Sequence, residues 1–343
     1  MAFPKPQFSR TQVDRAGQTL LANHEDQKAS VILTNWRASH GYPVNTFQAT
    51  LRLRLRNIDP KALVAQRIKR TPAILSKLKR FNSMRLSQMQ DIGGLRAVVD
   101  SVKHVRMLQK LYSDHKLDHQ MVYVDDYIEH PKDDGYRSVH MIYRYKNRNE
   151  NAYDGLFVEL QIRTRLQHAW ATAVETMGTF LGQALKSREG EKRWLDFFAV
   201  AGAAFCHREK TVMIPGYQDF TSRDTYQAVA DAENKLNVLY KLQGFAVAAD
   251  AISKSNVRGR YNLIILDSLN KKVSITSFAK NQLEKATEEY AKVESRAIAG
   301  DKIEAVLVSA GPIDALRKAY PNYFLDTRAF ISIMHQIIAE GKK

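Results

Sequence analysis

Two segments decide the reading of this chain: Asp126–His140, DYIEHPKDDGYRSVH, and Val158–Thr164, VELQIRT. The first reads as a phosphate-ready loop that runs into a strand. Gly135 lets the chain turn tightly after Lys132, and the Tyr136 ring can stack on a nucleobase. Ser138 and His140 follow two and four residues on, which an extended backbone would place on the face of Tyr136. The second segment puts Glu159, Gln161 and Arg163 on one face of a strand and Val158, Leu160 and Ile162 on the other. A row of polar side chains on a strand face points to a bound ligand. The plainer alternatives are a structural arginine as partner for Glu159 and a structural role for His140. Read together, the two segments make the chain a candidate nucleotide enzyme.

Working outward, Met89–Arg96 reads MQDIGGLR. Asp91, just ahead of a glycine pair and a strand, can ligate a hard cation such as Mg²⁺, which prefers carboxylate and phosphate oxygens. Glu159, on a separate strand, is a second candidate for the same ion or for a general base. Arg67, Lys69, Arg70, Lys77 and Arg96 add positive charge near that edge, as triphosphate chemistry requires. From Leu51 to Arg80 there are ten Lys or Arg against one Asp. Such a block attracts polyanions such as RNA; added solubility is the plain alternative. No GxxxxGK[ST] loop, HExxH, GxSxG or dinucleotide glycine fingerprint competes with this reading.

The periodicity predicts helix over residues 7–46, broken by a turn at Gly41–Pro43. Helix is also expected over Ala62–Lys79, reset at Pro72 with Thr71 as its cap. Strands are expected at Leu95–Val99, Val122–Ile128, Val139–Tyr145 and Leu156–Ile162, with a helix at His104–Tyr112. Helix returns over Arg165–Leu185, placed against the sheet. There Glu175 is either near the site or simply solvated. Trp194–Cys206 reads as an apolar helix. Asp224–Ser253 reads as a long helix or a pair, broken near Gly244. Short strands follow at Tyr261–Asp267, Lys272–Phe278 and Ile303–Ser309, with helices at Asn281–Lys292, Pro312–Tyr320 and Thr327–Ile338, and a boundary at Gly311–Pro312. The fold class is α+β, a mixed sheet flanked by helices, followed by a helical and small α/β region.

The chain has 343 residues and a net charge of +16, enough length for two or three domains. Its single cysteine, Cys206, rules out an internal disulfide framework and a cysteine-based zinc site, and a reducing cytoplasm suits it best. The N-terminus lacks an apolar signal segment, and no run is long enough for a spanning helix. No membrane partner is therefore expected.

Four pieces in order, RIKRTPAILSKL (Arg67–Leu78), MQDIGGLR, DYIEHPKDDGYRSVH and VELQIRT, resemble the synthetase domain of RelA/SpoT-type alarmone enzymes. The resemblance implies the fold of that domain, related to the nucleotidyltransferases, and transfer of pyrophosphate from ATP to a ribose 3′-hydroxyl. Carried over by position, Arg67 and Arg96 would hold ATP, with Arg67 on the adenine, and Lys69 and Lys77 would contact its phosphates. Asp91 and Glu159 would manage Mg²⁺, and Glu159 would activate the acceptor hydroxyl. Lys132, Tyr136, His140 and Gln161 would form the acceptor pocket. About fifty residues precede the domain and carry no His-Asp hydrolase pair, so the long multidomain arrangement is not expected.

The stretch AYPNYFLDTRAFISIM, Ala319–Met334, is similar to the C-terminal end of CapRel-type fused toxin–antitoxin proteins. That resemblance implies a toxin acting on the 3′ CCA end of tRNA, blocking translation in defence against phage. A Tyr-x-x-Tyr pair, here Tyr320 and Tyr323, would plug the adenine pocket, and a phage capsid protein would relieve the inhibition. Arg52, Arg54, Arg56, Arg70, Lys79, Arg80 and Arg137 are the expected tRNA contacts. The domain expectation is an N-terminal helical region (1–50), the pyrophosphotransferase (51–185), a helical connector (186–254) and an antitoxin or sensor region (255–343). That last region resembles a zinc-finger-like module without its metal, so no zinc is expected. A monomer is expected. Synthesis of (p)ppGpp from GDP or GTP is the alternative, and a catalytically inactive RNA-binding module the second one.

Overall fold

The computed structural model describes residues 3–114, 118–183, 185, 190–254, 261–267, 269–270, 272–298, 301, 303–309 and 323–342. The chain begins with three helices: α1 (Arg10–Ala22), α2 (Gln27–Ser39) and α3 (Gly41–Leu55). Ser9 starts α1 with a reciprocal cap: its hydroxyl accepts from the Gln12 amide at 3.3 Å, while the Gln12 side chain accepts from the Ser9 amide at 2.9 Å. The expected break at Gly41–Pro43 is instead the first turn of α3, where proline is tolerated because amides there have no intrahelical acceptor.

Next come β1 (Leu63–Ile68), α4 (Thr71–Arg80), β2 (Gly93–Val99), α5 (Val102–Asp114), β3 (Gln120–Asp126), β4 (Val139–Arg144) and β5 (Phe157–Thr164). The expectation of helix from Ala62 is corrected, because residues 63–68 pair antiparallel with β2 and only the part from Thr71 is helical. Thr71 is also not the cap; Arg70 holds that position in extended backbone.

The five strands form one sheet in the order β1-β2-β5-β4-β3, with β2 and β5 parallel and the other pairs antiparallel. Alternation divides its side chains between two faces. Leu95, Ala97, Val99, Val139, Met141, Tyr143, Val158, Leu160 and Ile162 point one way. They join Val44, Phe47 and Leu51 of α3 and Val105, Leu108 and Tyr112 of α5 in one buried cluster. Residues of α1 and α2, among them Val13, Leu20, Leu33 and Trp36, belong to the same cluster. The N-terminal helices are thus part of the sheet's own core, which corrects their separation as a region 1–50. Gly93 is needed here, since a Cβ would lie 2.8 Å from Val44 Cγ2 and 3.0 Å from His40 Cβ.

The chain divides into two units: 1–128 with 137–165, and 129–136 with 166–343. Helix α6 (Arg165–Leu181) was expected against the sheet. Its Trp170, Ala173, Met177 and Phe180 lie in the core of the second unit, with α7 (Lys192–Glu209), α8 (Ser222–Leu236) and α9 (Val238–Lys254). The break between α8 and α9 falls at Asn237, in left-handed backbone at φ 49°, and not at Gly244. Gly244 sits inside α9 because Leu266 approaches so closely that a Cβ would meet its Cδ2 at 2.5 Å.

Strands β6 (Tyr261–Asp267), β7 (Lys272–Phe278) and β8 (Ile303–Ser309) form an antiparallel sheet in the order β7-β6-β8. Ile264 and Leu266 join the helical core, while Leu263 joins Phe278, Ala286 and Val293 of α10 (Leu283–Ile298). The last helix, α11 (Tyr323–Gly341), adds Phe330, Met334 and Ile337 to the helical core. The expected connector and C-terminal region therefore share a core. The expected boundary at Gly311–Pro312 and helix at Pro312–Tyr320 lie outside the described residues. No helix among the described residues is long and apolar enough to cross a membrane.

Candidate active site

The second face of the five-stranded sheet carries the polar set. Direct neighbours across the ladder share a face, so the register groups the side chains. Arg67 of β1 pairs with Gly94 of β2, and Gly94 pairs with Glu159 of β5. Arg96 pairs with Gln161, Gln161 with His140 of β4, and His140 with Asp125 of β3.

Glu159 is the centre of this face. It is buried, and both of its oxygens are engaged: His140 Nδ1 lies 3.0 Å from Oε1, and Gln161 Nε2 donates to Oε2 at 2.9 Å. Burial by itself would raise its pKa. The hydrogen bond and charge of His140 outweigh that, with help from Arg67, and hold the carboxyl below its usual range. An ionised carboxylate only accepts hydrogen bonds, so the Nδ1 facing it must carry the proton. The Tyr127 ring and the His140 imidazole stand perpendicular with centroids 5.3 Å apart, and the Tyr127 hydroxyl donates to Asp125 at 3.1 Å.

Asp91 stands beside this group, in the turn leading into β2, and accepts from two ammoniums. Lys69 Nζ is 2.6 Å from Oδ2 and Lys77 Nζ is 2.9 Å from Oδ1. Burial opposes the charge on Asp91, but Lys69 and Lys77 prevail and hold its pKa at about 2. Burial lowers the pKa of Lys69, and Asp91 opposes that shift without cancelling it. The chain around Lys69 is fixed from two directions: the Lys69 amide donates to the Ile92 carbonyl at 2.7 Å, and Arg37 Nε of α2 donates to the Lys69 carbonyl at 2.8 Å. Asp91 and Glu159 repel each other, since the charge on Asp91 pushes Glu159 upward. Arg67 is exposed and Arg96 buried.

The structure thus brings Arg67, Lys69, Lys77, Asp91, Arg96, His140, Glu159 and Gln161 together. Three residues of β3 and its exit belong with them and were missed. Tyr123, Asp125 and Tyr127 alternate on this face; the Tyr123 hydroxyl bonds Gln90, and burial, followed by Asp125, Glu159 and Asp91, raises its pKa. The signal was present as period-2 polarity in VYVDDY, Val122–Tyr127. Arg37 left no such signal, because its contact is with a backbone carbonyl distant in sequence.

Other expectations are corrected. Ser138 precedes β4, is fully buried and donates to the Ile162 carbonyl at 3.1 Å. Arg137 is 2% exposed and cannot present its charge to a polyanion. Arg54 donates to the Leu111 carbonyl at 3.2 Å and covers the Tyr112 ring at 4.1 Å, so its guanidinium is committed locally. Arg52, Arg56, Arg70, Lys79 and Arg80 are exposed. The Gln161 amide, expected in the acceptor pocket, donates one hydrogen bond to Glu159 Oε2 at 2.9 Å.

Lys132 and Tyr136 fall in the second unit. Lys132 Nζ lies 5.4 Å from the centre of the Tyr136 ring, and that ring meets Trp170 edge-on at 6.3 Å. Gly135, at φ +91°, lies so close to α7 that a Cβ would be 2.9 Å from the Phe198 carbonyl. Tyr320 lies outside the described residues. The backbone of Tyr323 opens α11, and its side chain lies outside them.

Residues 66–178, from β1 into α6, match the family described as a region found in RelA / SpoT proteins. Among curated proteins, the chain is similar to the GTP pyrophosphokinases YjbM and YwaC of Bacillus subtilis. Identity with YjbM is 34% over 116 residues, which is 33% of this chain and 54% of that protein. For YwaC it is 26% over 152 residues, 43% of this chain and 64% of that protein. The chain therefore spans about half to just under two thirds of the length of these relatives. Among solved structures it is similar to small alarmone synthetase 2 of B. subtilis, with TM-score 0.43 and 22% identity over 51% of this chain and 92% of that one. It is also similar to small alarmone synthetase 1 of B. subtilis bound to its product pppGpp, with TM-score 0.40 and 24% identity over 49% and 90%.

Proposed function

We propose that this chain transfers the β,γ-pyrophosphate of ATP to the ribose 3′-hydroxyl of a guanosine nucleotide and releases AMP. The observation that carries the reading is Glu159, a buried carboxylate kept ionised on a sheet face that also holds Arg67 and Arg96, with Asp91, Lys69 and Lys77 at its edge. The acceptor oxygen attacks the β-phosphorus as its proton passes to Glu159. The new O–P bond forms as the bridging bond between the α- and β-phosphates breaks, and AMP departs. Arg67 and Arg96 hold the donor, and Lys69 and Lys77 offset charge on its phosphates. The names of the similar Bacillus proteins support a guanosine nucleotide as acceptor.

Mg²⁺ fits the residues present. Asp91 and Glu159 are two ionised oxygen donors near each other, and no group of three potential ligand side chains occurs among the described residues. Two carboxylates with the remaining positions left to phosphate oxygens and water is how Mg²⁺ is commonly held with a nucleotide. When bound, the ion would neutralise charge on the transferring phosphates.

A second reading takes the 3′ CCA end of tRNA as acceptor. The exposed cations Arg52, Arg56, Arg70, Lys79 and Arg80 favour it. The toxin–antitoxin role, the plug formed by Tyr320 and Tyr323 and relief by a phage capsid protein belong to this reading and rest on the resemblance of Ala319–Met334. ATP labelled at the γ-phosphate, incubated with GDP, GTP or bulk tRNA, separates the two. Label in a guanosine tetra- or pentaphosphate supports the first reading; label in tRNA alone supports the second. No AMP with any acceptor would leave neither standing.

A further inference from the structure

We propose that His140 and Gln161 are positioning residues for Glu159, a two-donor clamp that aims its carboxylate, and not contacts for the acceptor. The proposal rests on the transfer chemistry assigned to Glu159 above. His140 and Gln161 are direct neighbours on β4 and β5, and Glu159 lies two residues from Gln161 on the same strand and face. From these positions one donor reaches each carboxylate oxygen, at 3.0 Å and 2.9 Å. Each oxygen keeps a lone pair beyond the one used, so the clamp fixes the plane of the group without exhausting its capacity to take a proton. The clamp is itself supported. Tyr127 packs its ring perpendicular to the imidazole and is tied through its hydroxyl to Asp125, the cross-strand neighbour of His140 on β3.

A base held by donors on a rigid sheet keeps its geometry as the acceptor hydroxyl arrives, and misaimed catalytic groups lose roughly 100-fold in rate.

Side-chain geometry gives a discriminating experiment. The asparagine amide nitrogen, bonded to Cγ, occupies the place of Nδ1, whereas the glutamine amide reaches the place of Nε2. His140→Asn is therefore expected to recover most of kcat. His140→Gln and Gln161→Met are expected to lower kcat by about 10- to 100-fold with little change in KM for the acceptor. A raised acceptor KM with kcat intact in these variants, or His140→Asn performing no better than His140→Gln, would overturn the clamp. Long-range ¹⁵N spectra of histidine-labelled protein give a readout independent of turnover, with the His140 signal assigned by its loss in His140→Asn. A protonated Nδ1 is expected, and an unprotonated Nδ1 refutes the clamp. Should the unmodified chain release no AMP with any acceptor, the transfer reading fails while the spectrum still decides the clamp.

Discussion

Gly94 and Glu159 are direct neighbours across the parallel ladder of β2 and β5, and a Cβ built on Gly94 would lie 3.7 Å from Glu159 Oε2, in ordinary contact. Gly93, one residue earlier, faces the other way, onto Val44 and His40, at distances a side chain cannot keep. The two glycines therefore predict opposite outcomes. Gly93→Ala should cost about 1–3 kcal/mol by overpacking. Gly94→Ala should leave stability within about 1 kcal/mol but lower transfer, because a methyl group then fills the space beside the base. Urea unfolding and AMP release on both variants check this.

Asp91 takes a hydrogen bond from an ammonium at each oxygen, in a partly buried site. Asp91→Asn leaves Lys69 and Lys77 facing each other across a neutral amide. A loss of about 1–3 kcal/mol is expected, below that of a fully buried pair because Lys77 keeps some solvent. The double variant Asp91→Asn with Lys69→Met should regain part of that loss. Chemical denaturation of the unmodified chain, Asp91→Asn, Lys69→Met and the double variant measures it; full additivity would show that the Lys69–Asp91 pair contributes nothing.

Glu233 gives a pH dependence. Its carboxylate accepts from the Val238 and Leu239 amides at 2.9 and 3.1 Å. Burial raises its pKa from 4.5 to about 7, against the opposing effects of those amides and Lys241. A raised folded-state pKa means that the unfolded chain releases this proton first. The favourable contribution is complete below pH 4.5 and is lost as pH rises from there through 7, on the order of 3 kcal/mol. Glu233→Gln should flatten that part of the stability profile, as followed by thermal unfolding between about pH 4 and pH 8, which brackets both values.

Surface and buried arginines should separate in RNA binding. Arg70→Ala, Lys79→Ala and Arg80→Ala remove exposed charges, and each should reduce the slope of log affinity against log salt by about one if it meets a phosphate. Arg137→Ala should leave that slope unchanged and lower the melting temperature, because its side chain is buried. Filter binding with tRNA at several salt concentrations, beside melting curves, tests both halves.

Tyr323 stands at the start of α11. If the C-terminal tyrosines restrain the site, Tyr323→Ala should release AMP several-fold faster than the unmodified chain at matched concentration. An unchanged rate would remove the restraint from the proposal.

How much of this was legible in the sequence varies with the range of the interaction. Period-2 alternation in VELQIRT placed Glu159 and Gln161 on one face and Val158, Leu160 and Ile162 on the other, as β5 does. The strands β6 and β7 are likewise local patterns, each a run of alternating residues between turns. The stretch Ala62–Arg70 misled, because RIKR read as part of a helix while its pairing with β2 lies some thirty residues away in sequence. Arg137 misled for a related reason: charge identifies a residue type that is usually exposed, and burial depends on what packs over it.

The sequence by itself determined that Glu159 and Gln161 share one strand face and Val158, Leu160 and Ile162 the other, because strand alternation is a property of neighbouring backbone units. Only the tertiary structure decided who partners whom. Lys69 and Lys77 hold Asp91 because the turn before β2 folds back onto β1 and α4. Gln161 serves Glu159, and His140 completes the grip, because the β4–β5 register sets them side by side. Hydrogen bonds reach about 3 Å, and distances that short between residues far apart in the chain are fixed by register and packing alone.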